Sequence, residues 1–88
     1  MNKYTLKITY IDITLGNMNT ILTNNETGES IEEKWWCVDG VWTLEDWWRT
    51  NGDTQPGLYE TLDEDGERTD EILTELANTP AGEMEIEA

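Results

Sequence analysis

The sequence predicts a small α+β fold, an antiparallel sheet of about four to five strands with one or two short helices packed on it. Three stretches predict it. From Lys3 to Tyr10, the apolar Tyr4, Leu6, Ile8 and Tyr10 alternate with Lys3, Thr5, Lys7 and Thr9 in the period of two that a half-buried strand requires. Asp39-Gly40 stands between Trp36-Cys37-Val38 and Val41-Trp42-Thr43 and marks a two-residue hairpin, because both central positions of such a turn take positive φ. Towards the C-terminus Thr69-Asp70-Glu71 precedes Ile72, Leu73 and Leu76, the cap and apolar stripe of a helix running to about Asn78.

The other elements follow in order. Ile11, Ile13 and Leu15 carry the first run onward at the opposite parity, so a bulge, a bend or a second short strand is expected before Gly16-Asn17. Met18 to Thr23 reads as a strand, and Asn24-Asn25-Glu26-Thr27-Gly28 as a turn. A third strand from about Glu29 to Val38 would place Ile31, Trp35 and Cys37 on one face and Trp36 and Val38 on the other. Ser30-Ile31-Glu32-Glu33 also fits a helical capping box; the hairpin that follows favours the strand, with Val38 facing Val41 and Cys37 facing Trp42.

Thr43 as N-cap, Glu45 and Asp46 in the first turn and Asn51-Gly52 as the stop predict a short helix from Leu44 to Thr50. It would gather Leu44, Trp47 and Trp48 on one side and leave Arg49 to reach an acid. Asp53 to Gly57 is loop, Leu58 to Leu62 a short strand, and Asp63-Glu64-Asp65-Gly66-Glu67-Arg68 a turn dense in charge. Pro80 and Gly82 end the last helix. Glu83-Met84-Glu85-Ile86-Glu87 alternates throughout and is either a closing strand, the preferred reading, or a disordered end.

Residues 1–88 form one domain, with no linker or repeat to divide them. There is no phenylalanine, and all five tryptophans lie between Lys34 and Trp48. Since each can bury ~150–250 Å², that segment is expected to supply much of the burial that holds the fold. Cys37 has no second cysteine to pair with and is expected there as a small buried hydrophobe.

Charge narrows the function. Twenty acids against five bases give −15 and a pI near 4.1, which excludes binding to phosphate backbones or anionic lipid. With no histidine, Ser-His and Cys-His catalysis and the commonest nitrogen metal ligand are absent. Placing Gly66 at the sixth position of a calcium loop puts Thr61 and Ile72 at its two carboxylate ends, so no EF-hand is present. There is no zinc cluster, phosphate loop or nucleophile elbow either. The expectation is a protein that is not an enzyme and uses no cofactor or metal. No run approaches the ~18 apolar residues of a membrane span, and Met1-Asn2-Lys3-Tyr4 opens no signal peptide, so a cytoplasmic protein is expected.

The acids are unevenly spread. Residues 1–43 carry six acids and three bases, residues 44–88 fourteen acids and two bases. Asp63, Glu64, Asp65, Glu67, Asp70, Glu71 and Glu75 are the first candidates for a partner-binding set, with Glu83, Glu85 and Glu87 second. Glutamates alternating along a strand stand ~6.6 Å apart, helical neighbours have Cβ atoms ~5–6 Å apart, and duplex nucleic acid carries one charge per ~3.4 Å of axis on each strand. Such rows would fit a basic groove built for nucleic acid, with exposed aromatic groups as anchors.

In length, charge and lack of a catalytic constellation, and in the run Asp63-Glu64-Asp65-Gly66-Glu67 followed by Asp70-Glu71, the chain resembles the small acidic inhibitors of phages and mobile elements, of the anti-CRISPR, anti-restriction and glycosylase-inhibitor types. That resemblance implies a stoichiometric, nucleic-acid-mimicking blocker of a host defence nuclease or its guide-RNA complex in the bacterial cytoplasm. Its partner would be a basic nucleic-acid-binding protein or ribonucleoprotein, not nucleic acid or membrane. Two alternatives stand beside it: an immunity protein or antitoxin that neutralises a nuclease toxin, and a structural or accessory protein with a tryptophan-rich interface, as a homodimer for instance.

Overall fold

The structure is a computed structural model and describes residues 3–45, 56–63 and 66–88. Strands β1 (Lys3–Asp12), β2 (Asn17–Asn24), β3 (Ser30–Val38) and β4 (Val41–Leu44) form an antiparallel meander; helices α1 (Leu58–Leu62) and α2 (Glu67–Ala77) follow, and β5 (Glu83–Glu87) returns beside β1. The sheet order is β4-β3-β2-β1-β5, so the α+β expectation holds and the tail is the closing strand. Among the described residues no helix is long and apolar enough to cross a membrane.

One face of the sheet makes the core. Leu6, Met18, Leu22, Ile31, Trp35, Trp42, Leu44 and Ile86 are buried against Leu58 and Leu62 of α1 and Leu73 and Leu76 of α2. The Trp35 indole N–H donates to Thr20 Oγ1 at 2.9 Å, and its ring meets Tyr59 edge-on at 5.4 Å, so the largest core side chain has its polar atom satisfied where water is excluded. The opposite parity, including Lys3, Asn17, Asn19, Glu32 and Trp36, is exposed or half-buried. No described element packs over it.

Several expectations are corrected. The irregularity in β1 falls at Thr9 and not after Tyr10: Ile8 pairs with Thr20 and Tyr10 with Asn19, which turns Tyr10 outward and Ile11 inward. The Asp39-Gly40 hairpin has the expected register, Val38 with Val41 and Cys37 with Trp42. Both turn residues take positive φ, 52° and 80°. Yet its tip from Trp36 to Val41 is exposed, so Cys37 is not a core residue. Trp36, 46% exposed, is not one either. The core therefore holds Trp35 and Trp42 of the tryptophan-rich segment; Trp47 and Trp48 lie outside the described residues.

Leu44 ends β4 instead of starting a helix, since Trp35 pairs with it, and the rest of that expected helix lies outside the described residues. Leu58 to Leu62 is a helix, not a strand. Leu58 and Leu62, four apart, are buried on one side, and Glu60 Oε1 accepts the Gly57 N–H at 3.0 Å to close the first turn. α2 begins at Glu67, two residues before the expected cap, which leaves Thr69 and Asp70 inside the helix.

Candidate functional site

The acids chosen from the sequence fall into two groups on opposite sides of the sheet. On the helix side, Thr69, Leu73 and Leu76 face the core at spacings of four and three. Glu67, Glu71 and Glu75, four apart, form the reverse side of α2 and are exposed. Successive members rise ~6 Å along the axis at 1.5 Å per residue. Asp63, exposed and left-handed at φ 54°, ends α1 close before this ridge in sequence. Glu64 and Asp65 lie outside the described residues. Arg68 stands within the ridge as its one cation.

Asp70 departs from the group. It is half-buried, and its Oδ1 accepts the Trp42 N–H at 2.8 Å. Tyr59 Oη accepts the Leu44 N–H at 3.2 Å in the same manner. β4 is an edge strand, so these N–H groups have no neighbouring strand to bond, and two helical side chains take its place. Asp70 is thus tied to the fold, whereas among the described residues Glu67, Glu71 and Glu75 make no hydrogen bond through their carboxylates.

The second group, Glu83, Glu85 and Glu87, is exposed on β5. Its register sets Glu83 opposite Lys7 and Glu87 opposite Lys3, with Glu85 opposite Thr5, so this row meets two of the chain's five bases on its own face. The Ile8 N–H donates to the Gly82 carbonyl at 2.8 Å. Since inward and outward main-chain groups alternate along an antiparallel ladder, Met84 and Ile86 bond to β1 and the open edge belongs to the three glutamates. Charges at such an edge deter strands of other chains from pairing with it.

The sequence reading missed a constellation on the face that the helices leave open. Tyr10, Asn17, Asn19, Lys34, Trp35, Trp36 and Glu45 line a shallow depression there. The opposed parities of Tyr4-Leu6-Ile8 and Ile11 signal a bulge between Ile8 and Ile11, but Tyr10 continues the first alternation, so its place at Thr9 shows only in the strand pairing. Glu33 was also unforeseen: an acid fully buried in β3, whose Oε1 accepts the Leu58 N–H at 2.9 Å at the start of α1. Among the described residues no three His, Cys, Asp or Glu side chains converge as metal ligands. The chain matches no known protein family, no curated protein and no solved structure.

Proposed function

We propose that this protein is a stoichiometric inhibitor that presents an acidic, nucleic-acid-like ridge to the basic groove of a nucleic-acid-binding protein, such as a CRISPR effector, a restriction enzyme or another defence nuclease. The observation that carries this reading is the outer side of α2, where Glu67, Glu71 and Glu75 stand exposed in one row, their carboxylates without a hydrogen bond among the described residues, in a chain of charge −15. Rows of carboxylates at ~6 Å intervals attract a groove whose lysines and arginines are already placed for phosphates. β5 becomes the weaker candidate, because its glutamates face lysines and guard an edge.

Binding would be steered by charge and weakened by salt. Replacing Glu67, Glu71 and Glu75 by glutamine should leave the fold intact and reduce partner affinity about tenfold or more, as loss of several complementary charges does. Affinity capture from a bacterial host with wild-type and triple-amide proteins tests this. Basic nucleic-acid-binding proteins held by the wild type and released by the variant support the reading, and equal capture by both contradicts it. An immunity protein would use the same ridge against a nuclease toxin, and a toxin gene beside this one would favour it. The exposed Tyr10, Trp36, Val38 and Val41 favour a different second reading, an accessory protein whose interface is the aromatic end of the sheet.

A further inference from the structure

We infer that the depression on the open sheet face is a receptor for an arginine side chain of a protein partner, held between Tyr10 and Trp36. Strand register lays out its floor. Across β1, β2 and β3 one row reads Tyr10, Asn19, Lys34, and the next row on the same face reads Asp12, Asn17, Trp36. The two aromatic residues therefore occupy diagonal corners, two strands apart and two residues along. At ~4.8 Å per strand and ~3.4 Å per residue their Cα atoms lie ~12 Å apart. That spacing leaves room for one planar cation between the two side chains, and a cation within ~6 Å of a ring centroid is attracted to the aromatic face.

The two rings are about half exposed and the two asparagines between them half-buried. Among the described residues neither Asn17 nor Asn19 uses its side-chain amide in a hydrogen bond, although the main chain of both is fixed in β2. Two unused amides between two rings suit a flat ligand that donates several hydrogen bonds. A guanidinium is such a group: it stacks on aromatic faces and presents five N–H donors to amide and carboxylate oxygens.

Charge decides among flat ligands. Glu45 in the lining and Glu32 beside Lys34 on the same face outnumber the one ammonium of the lining, and the whole chain is at −15. A nucleotide, which would use the same rings and amides, is repelled through its phosphate. A neutral sugar gains nothing from the field. An arginine gains from all three features, and a lysine, a point charge without a plane, gains less. The inference rests on the proposed function only in expecting a basic partner, and it concerns the opposite side of the molecule from α2.

The test uses the full chain labelled with 15N and a blocked Gly-Arg-Gly peptide, with its lysine and citrulline counterparts and glucose as the comparison ligands. The expected result is that the arginine peptide shifts the Trp36 indole and the Asn17 and Asn19 side-chain amide signals and saturates. Trp36→Ala and Tyr10→Ala should each weaken that binding roughly five- to thirtyfold, the range of a partly desolvated cation–π contact. The amide variants of Glu67, Glu71 and Glu75 should still show the same site-specific shifts, which separates this site from the ridge. Equal shifts from the lysine peptide, shifts from citrulline or glucose in place of arginine, binding unaltered in both aromatic variants, or no shift at these signals would each overturn the inference.

Discussion

Asp70 and Trp36 each show how unlike its sequence neighbours a residue becomes once the chain folds. The sequence groups Asp70 with its acidic neighbours, yet the helical turn points it at β4, where it accepts the Trp42 N–H. Asp70→Ala should therefore lower stability by about 1.5–3 kcal/mol, the range for a hydrogen bond to a charged group. Asp70→Asn, which keeps an acceptor oxygen, should cost less; urea denaturation would check both. The sequence sets Trp36 among the core tryptophans, but the fold leaves it exposed. Trp42→Ala should cost about 3–5 kcal/mol as a buried ring removed, while Trp36→Ala, on the exposed face, should stay within about 0.5 kcal/mol. Equal losses in the two variants would show that Trp36 is packed.

Elements were legible where a pattern was long or a turn was chemically specified. β1 carries a clean alternation from Lys3 to Ile8, β2 and β3 are long apolar-rich runs, and Asp39-Gly40 determines its hairpin through positive φ, so the existence of these strands and the β3–β4 register were legible in the sequence, while the sheet order was not. Nor was α1. Five residues with leucine at each end satisfy a period of two and a spacing of four alike, and the choice is made by the buried Glu33 and by Glu60 at Gly57, contacts no local pattern contains. The exposure of the hairpin tip was equally hidden, because alternation tells which face a residue shares but not how far the helices extend over it. On β5 the alternation was read correctly, while its position at the free edge came only with the sheet order. Replacing Glu83 and Glu85 by valine should remove the guard from that edge and produce concentration-dependent self-association; sedimentation identical to wild type would show that the glutamates do not protect it.

At the scale of the whole molecule the net charge of −15 sets two opposite responses to salt. Repulsion within the folded chain is screened as ionic strength rises, so Tm should increase between about 0.01 and 0.15 M salt, as the screening length falls from ~30 to ~8 Å. Complex formation with a basic partner should weaken over the same interval. The two-layer build separates the acidic ridge of α2 from the aromatic face of the sheet, so each can be altered without the other. The candidate site was legible in part: Glu71 and Glu75 follow from helical periodicity, Glu67 joins them only because α2 starts two residues before the expected cap, and the aromatic face depends on one bulged residue, Thr9.

The central claim, that the α2 ridge occupies a groove meant for nucleic acid, is tested most directly by competition. With the captured partner in hand, its binding to a labelled nucleic acid is titrated with wild-type protein and with the Glu67, Glu71 and Glu75 triple glutamine variant. Displacement by the wild type, lost by about tenfold or more in the variant, is the predicted result. A partner that holds its nucleic acid and this protein together, or a variant that displaces as well as the wild type, would contradict it.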